Sequence, residues 1–392
     1  MQTNRFFLII IVLFLTGLLN CREEQKTTPP ANKITFGAYY YPWFGGPGLH
    51  WNKKNLRQQL IPAQAPVLGE YDCRKESIIK QHLEWAKESG IDFFALSWWG
   101  ENTPTDVTIS RHFAPYLTKN GSDFKFCISY DTPFFIKADG KGQIPLDKTA
   151  QEILLKDFLY LARTYFAHPN YLKINNRPVV ILYLTRIITG DFEKVIPAVK
   201  SIFKQQTAYD LFLIGDEVFW DEPNEKRIVV FDAITSYNMY GRPLRYDGYP
   251  DATNFFEDLE QTCLEYRKVA QSKNVKFIPN VMPGYNDRGS KKEAKNFILP
   301  RERNHLLENQ GSSYQRHWLV AQKCLDADLK MALITSWNSW DDDTQIEPAV
   351  ESHTPIKYPM ELTGGYNYFG YGKRYLKLTR EAKMWMEQQD NQ

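Results

Sequence analysis

Residues 77–100, SIIKQHLEWAKESGIDFFALSWWG, change period half-way. In the first part Ile78, His82, Trp85 and Ala86 fall on one helical face, and the pattern stops at Gly90. The second part, IDFFALSWWG, is a continuous apolar run ending in aromatic residues. A strand buried on both faces reads this way, whereas a half-solvated strand alternates. A helix feeding such a strand is the unit from which parallel α/β sheets are built.

The unit recurs. Eight apolar runs of this kind lie at 34–43, 91–100, 124–133, 178–185, 211–218, 233–241, 275–287 and 331–340. Helical patterns separate most of them, at 77–90, 147–166, 191–206, 254–273 and 312–327, while the connections after the second and fifth runs are less regular. Eight strands alternating with helices over about 350 residues predict a single-domain (β/α)8 barrel. The rival is an open doubly wound sheet, but no glycine-rich dinucleotide or phosphate loop follows the first strand. There are no internal repeats and no low-complexity tracts, so 34–392 is taken as one barrel domain.

The 392 residues carry a formal charge of +2, which gives no field to attract nucleic acid. Aromatic residues make up 15%, with 10 Trp and 23 Tyr. Such residues fill cores, and their flat apolar faces and polar tips also suit sugar clefts. At the N-terminus, FFLIIIVLFLTGLL is too short for an ordinary membrane span and fits a signal-peptide core. It ends at Leu18-Leu19-Asn20-Cys21, similar to a bacterial lipobox. The expectation is a signal peptide over 1–20, lipidation of Cys21, and a polar tether over 21–33. The domain would then lie in the cell envelope, outside the cytoplasmic membrane, touching the membrane only through its lipid anchor; an uncleaved anchor is the alternative. Cys73, Cys127, Cys263 and Cys324 are widely spaced, which fits buried thiols and no zinc site.

In a barrel of this type the site forms where strands end and loops begin. Those positions hold Tyr39, Tyr40, Tyr41, Trp43, His50, Trp51, Ser97, Trp98, Trp99, Tyr130, Asp131, Tyr183, Asp216, Glu217, Tyr237, Asn238, Tyr240, Tyr285, Asn286, Asp287, and then Trp337, Asn338, Trp340 and three aspartates. Aromatic platforms beside amides and carboxylates suit an oligosaccharide or polysaccharide, and glycoside hydrolysis commonly uses two carboxyl groups. A structural role competes at each position. Adjacent strand residues face opposite sides, so one of Trp98 and Trp99 belongs to the packing, as do some of the three tyrosines. Asp131 also fits a turn, Asp216-Glu217 a loop cap, His50 a structural histidine, and Glu347 a loop anchor. The aspartates fit a solvated turn, or a calcium site without the usual ligand spacing.

Four blocks together, GAYYYPWFGGPGLHW (37–51), APVLGEYDCRKESIIKQHLEWAKESGIDFFALSWWG (65–100), PGYNDRG (283–289) and TSWNSWDDDTQIEPA (335–349), resemble glycoside hydrolase family 99, and parts of the pattern resemble the WbsX-like proteins of polysaccharide clusters. The resemblance implies a (β/α)8 barrel, endo-α-mannosidase-type activity with retention, and no cofactor. The family's last motif holds two glutamates three residues apart. One is the base on the sugar 2-hydroxyl, which then attacks the anomeric carbon; the other protonates the leaving oxygen.

This chain departs from that pair. Ser-Trp-Asn before it and Thr-Gln-Ile-Glu-Pro after it fix the register, so the first glutamate position is Ser339 and the second is Asp342. Serine does not serve as a base without help, and losing a positioned base costs about 10²–10⁴ in rate. Aspartate is one methylene shorter, a displacement of roughly 1 Å that alone costs about 10²-fold. Asp342 is therefore the expected acid, with Asp341, Asp343, Glu347 or Glu217 in the second role. Alternatives are a substrate-borne participating group, a glycan-binding protein with an impaired site, or a glycosyltransferase-like protein. Substrate contacts are expected from Tyr40, Tyr41, Trp43, His50, Trp51, Trp98, Trp99, Tyr285, Asn286 and Asn338 through the matched blocks, and from Asp131 and Tyr240 through the barrel alone.

Overall fold

A computed structural model of the chain describes residues 33–45, 50–52, 54–131, 143–237, 239, 253–290, 298–301, 310–356 and 359–390. The strands that carry the site are β1 (Thr35–Tyr40), β2 (Phe93–Trp98), β3 (Lys125–Tyr130), β4 (Arg177–Leu182), β5 (Phe212–Asp216), β6 (Ala233–Thr235), β7 (Lys276–Ile278), β8 (Asn280–Val281) and β9 (Met331–Ile334). Their order is β7-β6-β5-β4-β3-β2-β1-β9-β8, with every neighbouring pair parallel.

The two ends of this path are consecutive in sequence, separated only by Pro279. Proline has no N–H to give a ladder. Its carbonyl still accepts from Leu333 at 2.9 Å. The seventh strand thus leans on β6 with its first half and on β9 with its second, which brings the sheet round to a nearly closed barrel. The eight predicted runs all lie on this barrel. Most over-reach at their C-terminal ends: 275–287 pairs only as far as Val281, and 331–340 only as far as Ile334. Periodicity carries no mark of where a neighbour stops pairing, and the surplus residues are the loops at the mouth.

The outer layer holds α1 (Glu76–Glu88), α2 (Lys148–Leu161), α3 (Phe192–Thr207), α4 (Thr253–Ser272), α5 (Ser312–Cys324) and α6 (Arg374–Asp390). The first five match the predicted helical stretches. After β2 the chain makes a helix broken by a π turn, Pro104–Lys119, and after β5 a single short turn, Glu225–Ile228, as the irregular patterns suggested. Asp147 caps α2 by accepting from the N–H of Ala150 at 2.8 Å.

The barrel is packed, not hollow. Gly37 on β1 pairs in register with Phe93 on β2, and a Cβ at Gly37 would lie 2.1 Å from the Phe93 ring. Trp98, Trp337 and Trp340 are fully buried. Much of the aromatic content is therefore core. The four described cysteines are buried free thiols. Among the described residues no helix is long and apolar enough to cross a membrane. Cys21 and residues 1–32 lie outside the described part, as does Tyr240.

Candidate active site

The end of β1 shows how alternation sorts three tyrosines. Tyr40 turns to the helical layer, where its hydroxyl meets His82 Nδ1 of α1 at 3.1 Å and its ring lies on Phe94. Tyr39 and Tyr41 turn the other way, both against Tyr237 from the end of β6; the Tyr41 and Tyr237 hydroxyls are hydrogen-bonded. Trp43 stacks on Tyr41 with ring centroids 4.3 Å apart, and His50 stacks on Trp43 at 4.3 Å and 9°. Trp99 packs against Trp43 and donates its indole N–H to Asp131 at 2.9 Å. Tyr41, Trp43, His50 and Trp99 thus line one wall, with Asp131 behind it.

The loop after β9 places its four carboxylates in four different surroundings. Asp341 Oδ2 accepts from His50 Nδ1 at 2.7 Å. Asp342 Oδ2 accepts from the Ser339 hydroxyl at 3.2 Å, and its backbone carbonyl accepts from the N–H of Asn286. Asp343 is buried between Arg57 and Arg301 and also accepts from Gln345. Glu347 is fully buried: His82 Nε2 lies 3.0 Å from one oxygen, while Tyr71 and Trp340 each donate to the other at 2.8 Å. Asn338 completes this buried network, pairing with both backbone groups of Tyr41 and donating to the Tyr71 hydroxyl. The loop is thereby pinned to β1 and α1, and Ser339 is 1% exposed.

Electrostatics separate these carboxyls further. Burial pushes Asp131 up to about 6, against the opposing hydrogen bonds from Ser97 and Trp99. Burial likewise raises Asp216, which accepts from the backbone N–H groups of Leu184 and Tyr237. Asp343 goes the other way: burial opposes ionisation, but Arg301 and Arg57 outweigh it and hold the carboxyl below its ordinary value. Burial lifts Tyr41, Tyr183, Tyr237 and Tyr285 well above the usual phenol range, and the Asp342 charge adds to the rise in all four. The Asp131 charge acts on Tyr41 and Tyr183 as well. Asp342 and Asp131 therefore both lie near the tyrosines at the barrel mouth.

A family model described as glycosyl hydrolase family 99 matches residues 32–387. The chain belongs to glycosyl hydrolase family 99. Similar proteins include a glycoprotein endo-α-1,2-mannosidase from Xenopus laevis, 23% identical over 94% of this chain and 80% of its own. The Mus musculus protein of the same name is 24% identical over 83% of this chain and 70% of its own. Among solved structures, a family 99 endo-α-mannosidase from Bacteroides thetaiotaomicron superposes with a TM-score of 0.66 at 22% identity, covering 91% of this chain and 98% of that one. A glycoside hydrolase-like protein reaches 0.69 at 20% identity, covering 90% and 95%. The barrel is the fold of these neighbours.

Within this family 99 chain the sequence-predicted residues divide. Tyr41, Trp43, His50, Trp99, Asp131, Tyr285 and Asp342 surround the mouth. Tyr40 lies behind β1. Trp98 is fully buried and donates to Asp106. Trp51 donates to the Tyr71 carbonyl, Asn338 holds Tyr41, and the Asn286 side chain donates to the Leu362 carbonyl. These five shape the site from behind. Asp343 and Glu347 are engaged by buried cations and donors, and Glu217 is paired with Arg227 and accepts from Thr185. Arg57, Arg301, Tyr71 and His82 were missed as supports. A signal existed for the arginines, since a buried aspartate requires a cation, but nothing in the sequence marked Asp343 as the buried one. Among the described residues no three His, Cys, Asp or Glu side chains converge as a metal set.

Proposed function

We propose that this family 99 protein hydrolyses an α-linked, mannose-containing glycan, with Asp342 as the acid that protonates the leaving oxygen. One observation carries the assignment of Asp342: of the loop's carboxylates it is the one set against the tyrosines of the mouth, while Asp343 and Glu347 are locked behind it. The substrate class comes from the names of its relatives, and Trp99 stays partly exposed on the wall beside the mouth. The lipobox-like Asn20-Cys21 supports a position in the cell envelope on a lipid anchor.

A second reading is supported by Ser339. It occupies the family's glutamate position, is buried, and spends its hydroxyl on Asp342. A site so altered fits glycan binding without turnover. Residues 22–392, incubated with a panel of α- and β-linked oligosaccharides and analysed by mass spectrometry, separate the two. Cleavage by the wild type that falls about 10²–10⁴-fold in Asp342→Asn supports hydrolysis. Saturable binding with no cleavage of any substrate sinks it in favour of a glycan-binding protein.

A further inference from the structure

We infer that Cys263 and Cys324 form a modification site away from the barrel mouth, a dithiol that a disulfide-bearing oxidant converts to one bond strapping α4 to α5. The two thiols come from different helices and are buried, 4% and 0% exposed. One S–H donates to the other sulfur, so the side chains already face each other as a disulfide requires. The register of the helices agrees. On α4, Glu260, Cys263 and Arg267 recur at i, i+3 and i+7 and share a face. Glu260 pairs with Lys323 Nζ at 2.8 Å, and Arg267 donates to the Lys323 carbonyl at 3.0 Å. Contacts on both sides of Cys263 thus converge on the residue next to Cys324. Earlier along both helices, Arg316 donates to Glu257 at 2.8 Å. The other two thiols are placed differently. Cys73 donates to the Tyr41 carbonyl and accepts from the Tyr40 hydroxyl, and Cys127 lies within β3.

The pair stands at the seam of the barrel. Helix α4 packs on β7 and α5 on β8, the two halves of the strand that changes partner at Pro279. A bond between these helices ties the outer layer together where the two ends of the sheet meet. It closes the chain from Cys263 to Cys324 and stabilises by restricting the unfolded state. In the step, the thiolate of one cysteine attacks a sulfur of the oxidant's disulfide and expels one thiolate, leaving a mixed disulfide. The thiolate of the other cysteine attacks the protein sulfur of that intermediate, forms the Cys263–Cys324 bond and expels the second thiolate. Two cysteines are oxidised, one disulfide is reduced to two thiols, and the two cysteine protons end on those thiols. The Cys324 contact and then burial push the Cys263 thiol well above its ordinary value. The native pair therefore holds little thiolate, and the exchange belongs to the folding chain, before α4 and α5 close. The envelope position proposed above supplies such oxidants, and the pair is tested without relying on it.

The test uses the full-length chain with Cys21→Ser, which leaves Cys73, Cys127, Cys263 and Cys324. The chain is unfolded in urea with reductant, then refolded either with reduced glutathione alone or with reduced and oxidised glutathione together. The folded fraction is quenched in acid, unfolded, alkylated and mapped by mass spectrometry. Oxidising refolding is expected to leave Cys73 and Cys127 alkylated and to give a linked peptide pair holding Cys263 and Cys324. The linked form should melt roughly 5 °C or more above the reduced form. Cys324→Ala should give no linked pair and melt alike under both conditions. Alkylation of all four thiols in the oxidised, folded sample overturns the site, and so does a link that includes Cys73 or Cys127. A Cys263–Cys324 link that leaves melting unchanged overturns the strap. The readout is neither cleavage nor fractionation, so failure of the hydrolytic or envelope reading is told apart from failure of this one.

Discussion

Asp131, Asp342 and Asp343 are the same side chain in three chemical states of neighbourhood, and the sequence around them hardly distinguishes them. Asp343 is defined by Arg57 and Arg301, Asp131 by Ser97, Trp99 and burial. Those partners come from 286, 42, 34 and 32 positions away, so no local pattern could name them. What the sequence did expose was the gathering of aromatic residues and carboxylates at strand ends, because a parallel barrel forces those positions together. Asp131 yields a prediction at this scale. Its carboxyl is lifted to about 6 in the fold, above the ordinary 3.8, so folding favours the protonated form. That contribution is complete below the unfolded value and is lost as pH rises through about 6. Asn keeps an oxygen to accept from Ser97 or Trp99 and does not titrate. Between pH 4 and 8 the stability of Asp131→Asn should therefore gain about 2–3 kcal/mol relative to wild type. Denaturant melts at the two pH values check this; a gap that does not change with pH would show that Asp131 titrates normally.

At the scale of elements, the strands were legible because burial on both faces writes a continuous apolar run, and five helices because one face is apolar. Helix α6 was not anticipated. Its buried side includes Thr379 and Lys383, and Lys383 reaches Asp92 at 2.6 Å and the Gly90 carbonyl at 2.7 Å. Polar residues inside the buried stripe erase the periodicity. The same use of buried charge fastens the loop after β9. Asp343, at φ 52°, joins it to Arg57, from the turn Arg57–Gln59, and to Arg301, which also donates to the Asp343 and Gln345 carbonyls. Removing the carboxylate leaves two buried guanidiniums facing each other. Asp343→Asn should cost about 3–5 kcal/mol, the penalty for breaking a buried pair by one partner. Because the folded carboxyl is held low, the wild type keeps this contribution above the unfolded value and loses it as pH falls below. A cost below about 1 kcal/mol, the level of an exposed pair, would mean the cluster is hydrated and does not secure the loop.

For the whole molecule, direction matters most. The chain enters the barrel at β1 from the N-terminal side, where Lys33 pairs with Asp92 at 3.0 Å, at the start of β2. The candidate site lies at the opposite, C-terminal ends of the strands. If Cys21 carries lipid, the anchor joins the barrel through Lys33, on the face away from the mouth. Thirteen residues of tether reach at most about 45 Å when extended. Lipidation by a single chain gives only marginal membrane binding, so stable attachment requires the further acyl chains of a processed lipoprotein. Cys21→Ser in the full-length chain should abolish incorporation of labelled palmitate and move the protein out of the membrane fraction. Its action on soluble oligosaccharide should match the wild type, since Lys33, where the described chain begins, lies on the far face. Persistence in the membrane fraction without label would assign the attachment to an uncleaved apolar N-terminus. A loss of cleavage in the released protein would place the anchor in contact with the mouth, contrary to the entry of β1 from the opposite end.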